Sequence, residues 1–168
     1  MLVRGFTLIE MLVTLAILGI LMAIAIPSYL DLIDRQKLVD ATEKIYSDLQ
    51  IMRTATKSKS EDVYINVNKT GNNWCIGSNL KTSCDCTQDT ECTTTKTKSA
   101  EFPSIDIDGM SLNGQQFDQV RGILSSGYGD ITLISSRGKK TTIKLNAVGD
   151  ISVCSPSGTT RIGDYKAC

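Results

Sequence analysis

The chain contains no histidine, which removes the commonest general base and the commonest side-chain metal ligand together. There is no nucleophile elbow, no phosphate-binding loop and no loop with EF-hand acid spacing. The close acids Glu61/Asp62 and Asp106/Asp108 have the spacing of turns and strand edges. The chain is therefore expected not to be an enzyme, and to carry no metal and no cofactor. The side chains left for chemistry are thiols and one carboxylate. Six cysteines, Cys75, Cys84, Cys86, Cys92, Cys154 and Cys168, all lie in the later part of the chain. None forms a C-x-x-C pair, which argues against a zinc ribbon or a thioredoxin-type site. An even number beyond an apolar N-terminal segment reads as disulfides made in an oxidising compartment. Cys75 is expected to pair with one of Cys84, Cys86 and Cys92, but six cysteines allow about 15 connectivities and spacing does not choose among them.

The carboxylate is Glu10. From Met1 through Leu30 the only charged residues are Arg4 and Glu10, and from Met11 to Leu30 there are none. That run has about the length an α-helix needs to cross a hydrocarbon core. An ionised carboxylate at the head of such a helix is costly unless it is paired. A secretory signal would have a shorter apolar core and a small-residue cleavage site after it. Here the run ends in Pro27-Ser28-Tyr29 and passes into an amphipathic pattern, so the segment is expected to remain attached. Arg4 favours a cytoplasmic N-terminus, although Arg35 and Lys37 on the other flank blunt that argument.

The elements that must position these groups follow in order. One helix is expected from Phe6 to near Ala55. In its second half Leu30, Ile33, Leu38, Ala41, Ile45, Leu49 and Met52 form a buried stripe, with Asp34, Asp40 and Asp48 among the polar residues between them. Gly19 weakens its first half and Pro27 should bend it. Lys57 to Ser60 is a polar exit. The remainder reads as β: Asp62–Asn68, a turn at Gly71-Asn72-Asn73, Trp74–Gly77, weak strands at Ser104–Ile107 and Gln116-Phe117, a hairpin of Ile131–Ile134 with Thr141–Leu145, and Ile151–Cys154. Asn79 to Ala100, rich in threonine and cysteine, is expected to be an exposed loop pinned by disulfide.

Arg4-Gly5-Phe6-Thr7-Leu8-Ile9-Glu10 followed by an apolar helix resembles the class III leader of type IV pilins and type II secretion pseudopilins. The resemblance implies an α+β pilin fold, a long N-terminal helix packed on a mainly antiparallel β-sheet domain. It implies residues 1–5 as a cleaved leader, 6–30 as a transmembrane and fibre-core helix, 31–57 as its amphipathic continuation and 58–168 as a periplasmic or extracellular domain. A prepilin peptidase would cut between Gly5 and Phe6 and methylate Phe6, and Glu10 would pair with the N-terminal amine of a neighbouring subunit. Gly19 and Pro27 fall where pilins often carry helix-weakening residues. Cys154 and Cys168 resemble the ends of a pilin C-terminal disulfide loop.

Trp74–Gly77, the Ile131 hairpin and Val148–Val153 look like GspH/FimT-type minor pilins. That implies a minor subunit that starts or caps a fibre, with a minor pseudopilin of a type II secretion system, or a pilus-borne DNA-binding receptor for natural transformation, as the alternatives. Its partners would be major and minor pilins or pseudopilins, the inner-membrane assembly platform and, before assembly, lipid. Its place would be the inner membrane, with the C-terminal domain periplasmic, and then the pilus at the cell surface. Some members of that subfamily carry a basic G-R-x-R-like run linked to DNA uptake. This chain has Gly149-Asp150-Ile151-Ser152 there, an acid in place of the first arginine.

Charge adds little to the partner question. Lys+Arg and Asp+Glu number 18 each, and loss of Arg4 with the leader leaves 17 against 18. The C-terminal third is locally basic, with Arg137, Lys139, Lys140, Lys144, Arg161 and Lys166 as candidate DNA contacts. From Arg121 onward Tyr128 and Tyr165 are the only aromatics, too few for a stacking platform, so a solvated hairpin face is the favoured reading.

Overall fold

The computed structural model describes residues 6–88, 90–159 and 161–168. The chain divides into two compact units, Met1–Ile33 and Asp34–Cys168. The helix α1 spans Leu8–Lys59, continues through Pro27 and ends four residues beyond the expected Ala55. Lys57 and Lys59 in its last turn suit the negative end of the helix dipole, and Ser60 at φ 52° turns the chain out of it.

In the first unit every residue from Phe6 to Leu32 is exposed. From Met11 to Leu30 this stretch carries no charge and its apolar residues lie on all sides, so no single face of it marks a core side.

The second unit has one contiguous core. Leu38, Ala41, Ile45, Leu49 and Met52, spaced three or four apart, are fully buried on one face of the helix. Two members of the expected stripe fall outside it: Leu30 is exposed and Ile33 half-buried. Two sheets receive the helix. The four-stranded sheet has the order β3-β2-β1-β5, from Thr95–Lys98, Asn73–Leu80, Val63–Thr70 and Gln116–Phe117. The five-stranded sheet has the order β4-β6-β7-β8-β9, from Ile105–Met110, Gly129–Ser135, Lys140–Leu145, Ile151–Ser155 and Lys166–Ala167. All pairings are antiparallel except β8 with β9.

Alternation dictates the faces. In β1 Val63, Ile65 and Val67 are buried while Asn68 is exposed, and in β6 Ile131 and Leu133 are buried between half-exposed neighbours. Thr70 pairs with Asn73 across the two-residue turn, where Gly71 sits at φ 61°, a backbone state costly for other residues. The sheets meet through side chains. Trp74 Nε1 donates to Ile105 O at 2.8 Å, and Lys69 pairs with Asp106 at 2.8 Å, so side chains of the first sheet reach β4.

The expected long loop from Asn79 to Ala100 is partly ordered secondary structure. β2 runs to Leu80, Thr95–Lys98 forms β3, and Ser99–Glu101 a 3-10 turn. Thr97 is the only fully buried residue of β3, so the strand lacks the apolar alternation that would announce it.

Candidate functional site

The helix start is built from Thr7 and Glu10. The Glu10 amide donates to Thr7 Oγ1 at 3.3 Å, and the Thr7 amide donates to Glu10 Oε2 at 3.5 Å. This reciprocal pair is a capping box, which satisfies two amides that a helix start leaves orphaned. Its signal, threonine followed three residues later by glutamate, stands in the sequence, so Glu10 caps its own helix besides the intersubunit pairing expected of it. Phe6 is 78% exposed and Glu10 is exposed as well. Gly5 lies outside the described residues. Gly19 and Pro27 both lie inside α1, and a methyl group on Gly19 would meet nothing within 4 Å. Among the described residues, α1 is the one helix long and apolar enough to cross a membrane.

In the second unit the six cysteines form three disulfides: Cys75–Cys86, Cys84–Cys92 and Cys154–Cys168. The first anchors the segment after β2 onto the face of the four-stranded sheet opposite the core. Gly77 lies directly beneath it. A Cβ there would stand 2.6 Å from Cys92 Sγ and 2.9 Å from Cys86 Cβ, so only glycine admits both disulfides. Asp85 receives the Thr87 amide at 2.9 Å and its hydroxyl at 2.7 Å, bonds that hold its carboxyl below the usual range.

Cys154–Cys168 closes the C-terminal loop alongside the parallel β8–β9 pair. That loop is fastened at two points: Ile162 is fully buried in the core, and the Tyr165 hydroxyl donates to Glu43 Oε1 at 2.5 Å. Desolvation, then the hydrogen bond and charge of Glu43, push the Tyr165 hydroxyl above its ordinary ionisation range.

The candidate DNA contacts are mixed with acids. Lys140 pairs with Asp108 at 2.7 Å, and Lys144 stands opposite Asp130 in the β6–β7 register. Arg137 lies in the turn of that hairpin beside Lys139, Arg161 is exposed in the C-terminal loop, and Lys166 is in β9.

Two further polar residues matter to the fold and were placed among the outward polar positions by the sequence reading. Asp34 is buried and accepts from Ser135 Oγ at 2.7 Å and Ser136 Oγ at 2.9 Å. Asp48 is buried against Thr97 and Lys44. Their hydroxyl partners, Thr97 for Asp48 and Ser135 and Ser136 for Asp34, lie 49, 101 and 102 residues away in sequence, so helix periodicity could not reveal their burial.

The described residues thus form an exposed apolar helix that begins at a threonine–glutamate cap, followed by a disulfide-bonded domain of two sheets. Residues 1–26 match the prokaryotic N-terminal methylation motif. The chain is 34% identical to the type IV narrow pilus major component PilA5 of Thermus thermophilus, over 52% of this chain and 83% of that protein. It is 44% identical to a fimbrial protein of Pseudomonas aeruginosa over 33% of each chain. The fold is similar to that of the minor pseudopilin EpsH from the type 2 secretion system of Vibrio cholerae, with a TM-score of 0.50 and 9% identity, over 71% of this chain and 97% of that one. The chain belongs to the type IV pilin and pseudopilin superfamily.

Proposed function

We infer that this protein is a minor type IV pilin, a structural and non-catalytic subunit that helps to initiate or cap a pilus fibre. The observation that carries the reading is the exposure of every residue from Phe6 to Leu32 ahead of a domain with its own core. Such a surface needs lipid or other apolar helices around it. Residues 1–5 would be the leader, removed by a prepilin peptidase at Gly5–Phe6 with methylation of Phe6. Residues 6–30 would then anchor the chain in the inner membrane, 31–57 would continue the helix, and 58–168 would lie on the periplasmic side, where disulfides form. An assembly platform would draw the helix from lipid into the fibre. There the buried Glu10 carboxylate would meet a neighbour's N-terminal amine, and Gly19 and Pro27 would let the helix adjust.

Two other readings have specific support. The likeness to PilA5 favours a major subunit. The fold shared with EpsH favours a minor pseudopilin of a secretion system. Quantitative blotting of sheared fibres tests the first distinction: a minor subunit is a trace component whose deletion abolishes or sharply reduces the fibre, and a dominant band would overturn the minor assignment. Scoring the deletion for secreted enzymes tests the second, since lost secretion with normal piliation would move the protein to the secretion machine. A DNA-receptor role is the least supported, because acids stand among the hairpin lysines.

A further inference from the structure

The segment between β2 and β3 crosses the outer face of the four-stranded sheet and leaves a cleft on either side of the Cys86 anchor. One, of about 270 Å³, is lined by Asn68, Thr70, Asn73, Trp74, Ser99 and the Cys75–Cys86 disulfide among others. The second, of about 430 Å³, includes Asn66, Lys69, Asp85, Met110 and Asn113. They share Asn68 and Cys86 as a common wall. We propose that these adjoining clefts bind a neutral saccharide, with one pyranose ring per cleft.

The chemistry of the lining selects that class. The apolar part of the first cleft's lining comes from Trp74, the Cys75–Cys86 disulfide and Ala100. Around it the side chains of Asn68, Thr70, Asn73 and Ser99 make no hydrogen bond to any described residue. A side-chain amide offers donors and an acceptor together, and a hydroxyl offers both. A pyranose needs this combination: a C–H face on an apolar surface and a ring of hydroxyls each able to give and receive. Charge does not single out a polyanion: Lys98 lines the first cleft, but in the second Lys69 is already paired with Asp106 and Asp85 contributes a carboxylate. The two disulfides fix the walls before any ligand arrives, which lowers the ordering cost of binding. The site is independent of the fibre reading, since none of its residues lies in α1.

The test uses the full-length protein in detergent micelles, with saturation-transfer NMR against glucose, galactose, N-acetylglucosamine and their disaccharides. Transfer to the C–H protons of one ring face is expected for at least one of these sugars, with a disaccharide preferred to its monosaccharide. Asn68→Ala, on the shared wall, should weaken binding of that sugar about tenfold, as expected for loss of one or two hydrogen bonds. Asn68 is exposed, so the variant should retain its fold and all three disulfides, checked by circular dichroism and non-reducing mass spectrometry. Absence of transfer from every sugar overturns the proposal, as does transfer that survives in Asn68→Ala/Asn73→Ala. Transfer confined to acidic sugars and erased by salt would overturn it equally. Fibre incorporation of the same variants should be normal.

Discussion

Thr97 donates a 2.5 Å hydrogen bond to Asp48 Oδ2 inside the core, joining β3 to α1 across 49 residues. The other carboxylate oxygen takes the Lys44 ammonium at 2.6 Å from one helical turn away. Asp48 is thus a buried charge whose donors come from two elements. Thr97→Val keeps the shape and removes one donor. It should lower stability by about 1–3 kcal/mol, the range for stranding a buried acceptor. Asp48→Leu added to it should recover part of the loss, because an apolar pair needs no donors. Denaturant midpoints of the full chain in detergent would measure both, and an unchanged midpoint in Thr97→Val would contradict the role.

Gly77 is a second pinning point. A methyl group there overlaps both Cys86 and Cys92, so Gly77→Ala should leave free thiols in the 75–92 region while Cys154–Cys168 still forms. Maleimide labelling followed by mass mapping would read this directly. The C-terminal disulfide is separable: Cys154→Ser/Cys168→Ser opens a loop with a separation of 14 residues and should lower stability by about 3 kcal/mol in the chain-entropy account.

Where a face is apolar and periodic, the sequence was readable. The helix stripe from Leu38 to Met52, the alternation of Val63, Ile65 and Val67, and the hairpin carrying Ile131 and Ile143 each announce their buried side locally. What stayed hidden depends on distant partners. Asp34 and Asp48 look outward on composition, and hydroxyls from Ser135, Ser136 and Thr97 make their burial tolerable. The strand Thr95–Lys98 has no apolar pattern because its inward residue is that same threonine. The parallel β9 is two residues long and follows from the disulfide beside it more than from any propensity.

Tyr165 offers a pH signature for the docking of the C-terminal loop. Its hydroxyl ionises above the ordinary tyrosine range, chiefly through desolvation and then through Glu43. The folded state therefore holds this proton more tightly than the unfolded one. Its contribution is complete below about pH 10 and is lost as pH rises beyond that. Absorbance titration should show a late tyrosine step above the ordinary range, and Tyr165→Phe should remove it. The variant should also flatten the fall of stability above about pH 10. A late step that persists in Tyr165→Phe would assign it elsewhere.

Glu10 has two roles that substitution can separate. In the monomer its carboxylate receives the Thr7 amide, a cap that an uncharged amide oxygen serves nearly as well. In a fibre the proposed partner is a cationic amine, and there only the charge will do. Glu10→Gln should thus keep the helix start and membrane insertion yet reduce recovery in sheared fibres to the level of Glu10→Ala. Thr7→Val, which removes the other half of the capping box, should weaken the helix start by about 1 kcal/mol and leave recovery close to normal. If Glu10→Gln assembled like the unaltered protein while Thr7→Val did not, capping alone would account for this carboxylate and the charge pair would be withdrawn.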